Sequence, residues 1–273
     1  MYYRKYFEGG PITSSETVKV TFGACSAQYN VLIEQSRIIG HAVEEVLCDA
    51  GMNAYYDDEH FILYPNREEK LGIGIFKQAL GTISYVVFAC DDIANVFNTS
   101  SSSGGSGYQP FNVTTGADYG KYKFYITVIG EPKGWLRVHV GTYNNPANMS
   151  YGFGIGYGKD IRDNRRVGYF VINPGYNTTS FYVRRTDDGS LVDGIAYSET
   201  VKFSAAAVTG QTNTLVLINI YDTHGYLTMD NCYLGCSALT AGTNNFYIIN
   251  GVEYYYPNVN MLIKCISKVS VTG

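Results

Sequence analysis

The sequence predicts a mainly β protein: a small N-terminal α+β unit with one long helix, followed by an antiparallel β-sandwich or barrel. Three observations predict it. Tyrosine and glycine are abundant, 26 and 30 of 273 residues; tyrosine suits half-buried pleated surfaces, and glycine suits turns and close backbone contacts. After residue 118 the apolar residues alternate with a period of two between closely spaced turn signals, which is the pattern of sheet. Helical spacing is clear once, in "NVLIEQSRIIGHAVEEVLCDAG".

In the first 95 residues, "VKVTF" alternates Val18, Val20 and Phe22 as a half-buried strand would. In the helix, Val31, Leu32, Ile38, Ile39, Ala42, Val43, Val46, Leu47 and Ala50 keep one stripe. Glu34, Arg37, Glu44 and Glu45 fall on the other side, and Gly51 ends it. "MNAYYDDEHFILYP" reads as a hairpin turning at Asp57–Asp58, followed by strands in "LGIGIF" and "TISYVVFAC". These form a unit over residues 1–97 with one helix against four or five strands. "NTSSSSGGSGYQP" has no apolar periodicity, so residues 98–117 read as a Ser/Gly-rich linker or loop.

Residues 118–273 form the β domain. "KYKFYITVI" alternates Tyr122, Phe124, Ile126 and Val128. In "WLRVHV", Leu136, Val138 and Val140 face one way and Trp135, Arg137 and His139 the other. Turns fall at "GEPKG", at Asp188–Gly189 and at Asn250–Gly251, the last a strong signal for a two-residue hairpin. "NTLVLINIY" and "VNMLIKCISKVSV" are the most apolar strands and the expected central ones of about eight to ten.

"GFGIGYG" has glycine at 152, 154, 156 and 158. A dinucleotide loop needs G-x-G-x-x-G opening a helix, and a P-loop needs G-x-x-x-x-G-K-[ST]. Here the period is two and no amphipathic helix follows, so the segment is a strand with one bare face.

Charged residues make up 16% of the chain against roughly 25% in average soluble proteins. Net charge is −4, split into −6 up to Asn95 and +2 beyond it. No basic run marks a nucleic-acid footprint, and no apolar run approaches a membrane span. The opening "MYYRKYFEGG" lacks the apolar core of a secretion signal. The expected site of synthesis is therefore a cytoplasm, where Cys25, Cys48, Cys90, Cys232, Cys236 and Cys265 stay reduced.

Candidate chemistry is sparse. Cys232, Cys236 and Cys265 with His224 could supply zinc ligands, but the C-x3-C spacing reads better as strand and turn with small buried residues. "YYDDEH" (Asp57, Asp58, Glu59, His60) reads as a solvated hairpin tip, since adjacent strand residues point to opposite faces. Asp91–Asp92 and Asp187–Asp188 read the same way. His41 with Glu44 and Glu45 lacks the second histidine of a metalloprotease helix, and neither His139 nor His224 neighbours an activated nucleophile. No catalytic, cofactor-binding or metal-ligating residue is assigned, and the expectation is a protein that is not an enzyme. Aromatic residues stand out instead: 18 of the 26 tyrosines lie beyond residue 95. Trp135, Tyr254, Tyr255 and Tyr256 are the candidate interface or ligand aromatics, because such side chains give large contact area at low entropic cost.

The Tyr/Asn/Gly-rich strands, the Ser/Gly tracts and the closing "FYIINGVEYYYPNVNMLIKCISKV" resemble the style of tailed-bacteriophage virion proteins, mainly over residues 110–273. The resemblance implies a non-enzymatic structural subunit of the tail, neck or capsid decoration of a phage or phage-tail-like particle. It would reside in the virion after synthesis in the host cytoplasm without a signal peptide, and its partners would be copies of itself and other virion subunits. One alternative is a module at the virion surface that binds a host carbohydrate receptor through Trp135 and Tyr254–Tyr256. A second is a glycan-degrading enzyme.

Overall fold

A computed structural model describes residues 2–8, 16–21, 28–69, 72–78, 83–89, 98–104, 123–132, 135–142, 152–160, 166–172, 180–182, 186–187, 190–191, 200–202, 216–222, 225–234, 246–249, 252–255 and 261–264. These residues are mostly β, with one α-helix, and every strand pairing among them is antiparallel.

The helix α1 spans Ile33–Asp49 and follows directly on strand β3 (Tyr29–Leu32). Leu32 at the N-cap is extended and gives no side-chain cap; the Ile33 amide donates instead to the Glu16 carbonyl at 3.2 Å. Glu34 in the first turn complements the helix dipole. At the other end Gly51 adopts φ 90°, and the amides of Gly51 and Met52 donate to Cys48 O (2.9 Å) and Leu47 O (3.0 Å). That is a Schellman stop, which needs a residue free of the Cβ penalty. Ile39, Ala42, Val43, Val46 and Leu47 are buried as the stripe requires. Gln35, Ser36 and Gly40 are buried with them, whereas Ile38 is only half-buried.

Chain order gives β1 (Tyr2–Glu8), β2 (Thr17–Val20), β3, α1, β4 (Tyr55–Asp57), β5 (Ile62–Tyr64), a 3-10 turn at Arg67–Glu69, β6 (Ile73–Lys77), β7 (Ile83–Ala89) and β8 (Asn98–Gly104). Then follow β9 (Lys123–Gly130), β10 (Trp135–Thr142), β11 (Gly152–Asp160), β12 (Arg166–Ile172), β13 (Ser180–Tyr182), β14 (Thr186–Asp187), β15 (Ser190–Leu191) and β16 (Thr200–Lys202). The last are β17 (Val216–Asp222), β18 (Gly225–Leu234), β19 (Phe246–Ile249), β20 (Val252–Tyr255) and β21 (Met261–Lys264). A five-stranded sheet runs β4-β5-β6-β7-β8. A twelve-stranded sheet runs β1-β9-β10-β11-β18-β21-β20-β19, with β12, β14, β15 and β17 branching from it. β2 with β3, and β13 with β16, form two-stranded ribbons.

The core lies between the two large sheets. α1 sits against β6 and β4 of one and against β9 and β1 of the other. Its buried residues join Ile62, Leu63, Ile73 and Ile75 on one side and Phe124, Ile126, Val128, Leu136, Val138 and Val140 on the other in one cluster. The alternation read in "WLRVHV" therefore holds for Leu136, Val138 and Val140.

Several expectations meet a different arrangement. β2 is exposed except at Val20, which is half-buried against the core; Val18 is 39% exposed, and the strand pairs with β3 outside the five-stranded sheet. The first seven residues of the segment read as linker or loop, 98–104, are strand β8, paired with β7 despite four serines in its sequence; residues 105–117 lie outside the described residues. β1 pairs through all seven residues with β9, joining the two expected units through one sheet. Asp187 stands opposite Ser190 and Ile249 opposite Val252; the residues read as turns, Asp188–Gly189 and Asn250–Gly251, lie outside the described residues. β21 lies inside the sheet between β18 and β20, whereas β17 has β18 as its one partner among the described residues.

Gly40 is a packing requirement. A Cβ there would come within 2.0–2.4 Å of three atoms of the Tyr56 ring. That ring is held: its hydroxyl sits 2.9 Å from Ile75 O and 3.2 Å from Ser36 O, so it donates to one of two carbonyls. Helix propensity alone would make Gly40→Ala stabilising by about 1 kcal/mol. Overpacking costs about 1–3 kcal/mol and reverses the sign, so urea unfolding of Gly40→Ala is expected to show a net loss of up to about 2 kcal/mol.

Candidate functional site

Residues 3 and 5 of β1 meet the C-terminal half of α1. Lys5 Nζ pairs with Glu45 and, at 3.0 Å, with Asp49 Oδ2, and the Tyr3 hydroxyl donates to Asp49 Oδ2 at 2.8 Å. Hydrogen bonds to Glu45 and then Asp49 raise the Lys5 pKa above its ordinary value. Burial alone would raise the Asp49 carboxyl, but the hydrogen bonds from Lys5 and Tyr3 outweigh it and hold the group below its usual range. The seam is half-exposed, so salt weakens it.

Residues 4 and 6 lie on the opposite face of the same sheet. Arg4 is buried; its Nε donates to Thr127 Oγ1 at 2.8 Å, and its guanidinium lies 4.3 Å from the Tyr125 ring centroid. Tyr125 is edge-on to Tyr6 and 3.2 Å from His139 Nε2 through its hydroxyl. Its ring occupies the space a side chain at Gly141 would need, 2.2 Å from a Cβ there. Arg137 and His139 are also fully buried. The glycines of β11 stand beside this row: Gly152, Gly154 and Gly156 are the register partners of His139, Arg137 and Trp135. The segment is thus a strand, and its glycines flank the largest residues of β10.

Of the four candidate aromatics, Trp135 opens β10 opposite Gly156, and Gly156 has Tyr169 on its other side. Tyr254 and Tyr255 lie on β20, opposite Tyr247 and Phe246. Strands β11, β18 and β21 separate β10 from β20 in the sheet order, so Trp135 and the tyrosines are not on neighbouring strands. Tyr256 lies outside the described residues. So do Cys25, Cys90, Cys236, Cys265 and His224, while Cys232 is on β18. Among the described residues no group of three His, Cys, Asp or Glu side chains could hold a metal ion.

The acidic hairpin is organised locally. β4 and β5 are joined by a turn over residues 58–61, closed by Phe61 at φ 59°. The Asp57 carboxylate accepts from the Glu59 and His60 amides and lies 2.7 Å from His60 Nδ1. Asp58 reaches across to α1, 3.7 Å from both Arg37 Nε and His41 Nε2. His41 Nδ1 is 2.9 Å from Glu44. The solvated tip read from the sequence is therefore a braced turn that ties the hairpin to the helix.

Three residues of this region were not singled out from the sequence. Tyr55 and Tyr64 are register partners across the hairpin, with ring centroids 6.3 Å apart and planes 16° from parallel. The Arg67 guanidinium lies 4.1 Å over the Tyr55 ring. The turn read at Asp57–Asp58 would have put Tyr55 opposite His60; the turn lies instead over 58–61, with Asp57 in β4, and pairs Tyr55 with Tyr64. Nothing local places Arg67.

Comparison with protein-family models, with curated proteins and with solved structures finds no match to this chain.

Two pH dependences follow. Lys77 ends β6 fully buried, and burial lowers its pKa from 10.5 to about 8. Between those values the unfolded chain binds more protons than the folded one, so stability rises with pH across that window. Lys77→Met is expected to flatten this slope in unfolding curves taken from pH 8 to 10.5. Asp49 acts at the other end: its contribution is present above its unfolded pKa of 3.8 and lost as pH falls through the lower folded value. Asp49→Asn is expected to soften the acid limb of stability below that point, most visibly at low salt.

Proposed function

We propose that this protein is a structural subunit of a phage or phage-tail-like particle, working by covering its surfaces with other subunits rather than by making or breaking bonds. The observation that carries the reading is the spread of tyrosine over the strands of one sheet. Tyr6 on β1, Tyr157 on β11, Tyr169 on β12, Tyr226 on β18 and Tyr254 on β20 all belong to the twelve-stranded sheet. With charge at 16% of the chain, such a sheet is suited to protein contact. The virion is the proposed location, and copies of the chain and other virion subunits are the proposed partners.

In this reading the sheet closes as an antiparallel sandwich or barrel. β11 supports that closure by changing neighbour along one edge. It pairs with β10 through Gly152–Gly156 and with β18 through Gly158–Asp160. β21 also comes close to β9, although three strands lie between them in sheet order. A strand that exchanges partners is how a sheet turns a corner.

The test is the assembly state of the purified full chain, by sedimentation and negative-stain imaging across a micromolar concentration range. Discrete oligomers or extended particles are expected. A monomer at every concentration would overturn the reading.

A further inference from the structure

We propose that Tyr55, Tyr64 and Arg67 form a binding site for a carboxylate-bearing saccharide, separate from Trp135 and from Tyr254–Tyr256. Tyr55 is one of two large apolar side chains exposed among the described residues, at 37%. It lies on β4, the edge strand of the five-stranded sheet, and Tyr64 on β5 stands directly opposite it. Their rings are near-parallel with centroids 6.3 Å apart, which sets a half-buried Tyr64 beside the exposed Tyr55.

Arg67 supplies the charge. Its backbone amide donates to Asn53 O at 2.9 Å, and the Glu68 amide donates to Asn66 Oδ1 at 3.2 Å. These bonds hold the 3-10 turn over the start of β4, which puts the guanidinium 4.1 Å above the Tyr55 ring. Arg67 is exposed and makes no ion pair among the described residues, although it sits in the acidic part of the chain. Two carboxylates of the hairpin are engaged elsewhere: Asp57 is held by its own turn and by His60, and Asp58 by Arg37 and His41. The 3-10 turn itself carries Glu68 and Glu69 next to Arg67.

A guanidinium stacked on one face keeps its N–H edge available for a bidentate carboxylate, and the stacking already limits its rotamers. The adjoining tyrosine surface suits the flat C–H face of a sugar ring. A rigid ring bearing an in-plane carboxylate meets both features at once, whereas an acidic peptide would use the charge without the surface. The site does not depend on the assembly role, and its ligand titration reads the same for one copy or many.

The experiment titrates the full chain with oligogalacturonate, neutral oligogalactose and poly-glutamate, followed by calorimetry and tyrosine fluorescence. Oligogalacturonate is expected to bind about tenfold or more tighter than either other probe, and less tightly as salt rises. Arg67→Gln should bring it to the neutral-sugar level, Arg67→Lys should fall between, and Tyr55→Ala should weaken both sugars. Thermal unfolding of each variant confirms that these exposed substitutions leave the fold intact. Equal binding of acidic and neutral sugars, tighter binding of poly-glutamate, or no binding at millimolar ligand would overturn the proposal. So would binding that Trp135→Ala abolishes and Arg67→Gln leaves unchanged.

Discussion

One helix covers two sheets, and the rest of the described core depends on that double contact. α1 buries Ile39, Val43, Val46 and Leu47 between strands β4 and β6 of one sheet and strands β1 and β9 of the other. Each such side chain contributes about 1.5–3 kcal/mol on burial. A stripe wide enough for two sheets extends beyond the apolar residues, so it takes in Gly40, Ser36 and Gln35 as well. Gly40 admits the Tyr56 ring, and the Ser36 hydroxyl accepts from the Lys77 amide at 2.8 Å. Gln35 is buried with neither amide atom hydrogen-bonded among the described residues, and a buried amide left so costs about 1–3 kcal/mol that the surrounding packing must offset.

The opposite face of the β1–β9–β10 layer works by a different rule. A slip of one residue in β1 would exchange Tyr3, Lys5 and Phe7 for Tyr2, Arg4 and Tyr6. Lys5 would lose Glu45 and Asp49, and Arg4 would leave Thr127 and the Tyr125 ring. Phe7 would also leave Phe124, against which it is stacked at 5.3 Å. Polar and aromatic partners on both sides thus select one register for a strand whose apolar pattern alone would not.

Much of the local structure was legible in the residues, and little of the long-range structure was. The alternation of Leu136, Val138 and Val140 identifies one buried face of β10, and the period-two glycines identify β11, because both signals are contained in a few consecutive residues. The helix stripe and Gly51 were readable for the same reason. "YYRKYFE" carries too mixed a pattern to announce a strand; its partner β9 decides it. The serines of β8 have poor strand preference, yet β7 pairs with them on both sides of a register shift between Tyr85 and Val87, and pairing overrides composition. The Tyr55–Tyr64–Arg67 cluster needed the hairpin register and a backbone bond from Arg67 to Asn53, neither of which is written in the spacing of the three residues.

The union of β1 with β9 has a consequence for how the protein is made. Arg4 and Thr127 are 123 residues apart in the chain. During synthesis the first strand emerges long before its neighbour exists, and α1 must wait with part of its apolar stripe uncovered. Closing so long a loop before any contact rewards it slows the search for the native state and leaves that surface open to unintended association. A nascent chain of this kind gains from a ribosome-bound holdase until residues near 140 have left the exit tunnel, and a fragment ending before β9 would leave the helix stripe permanently half-covered.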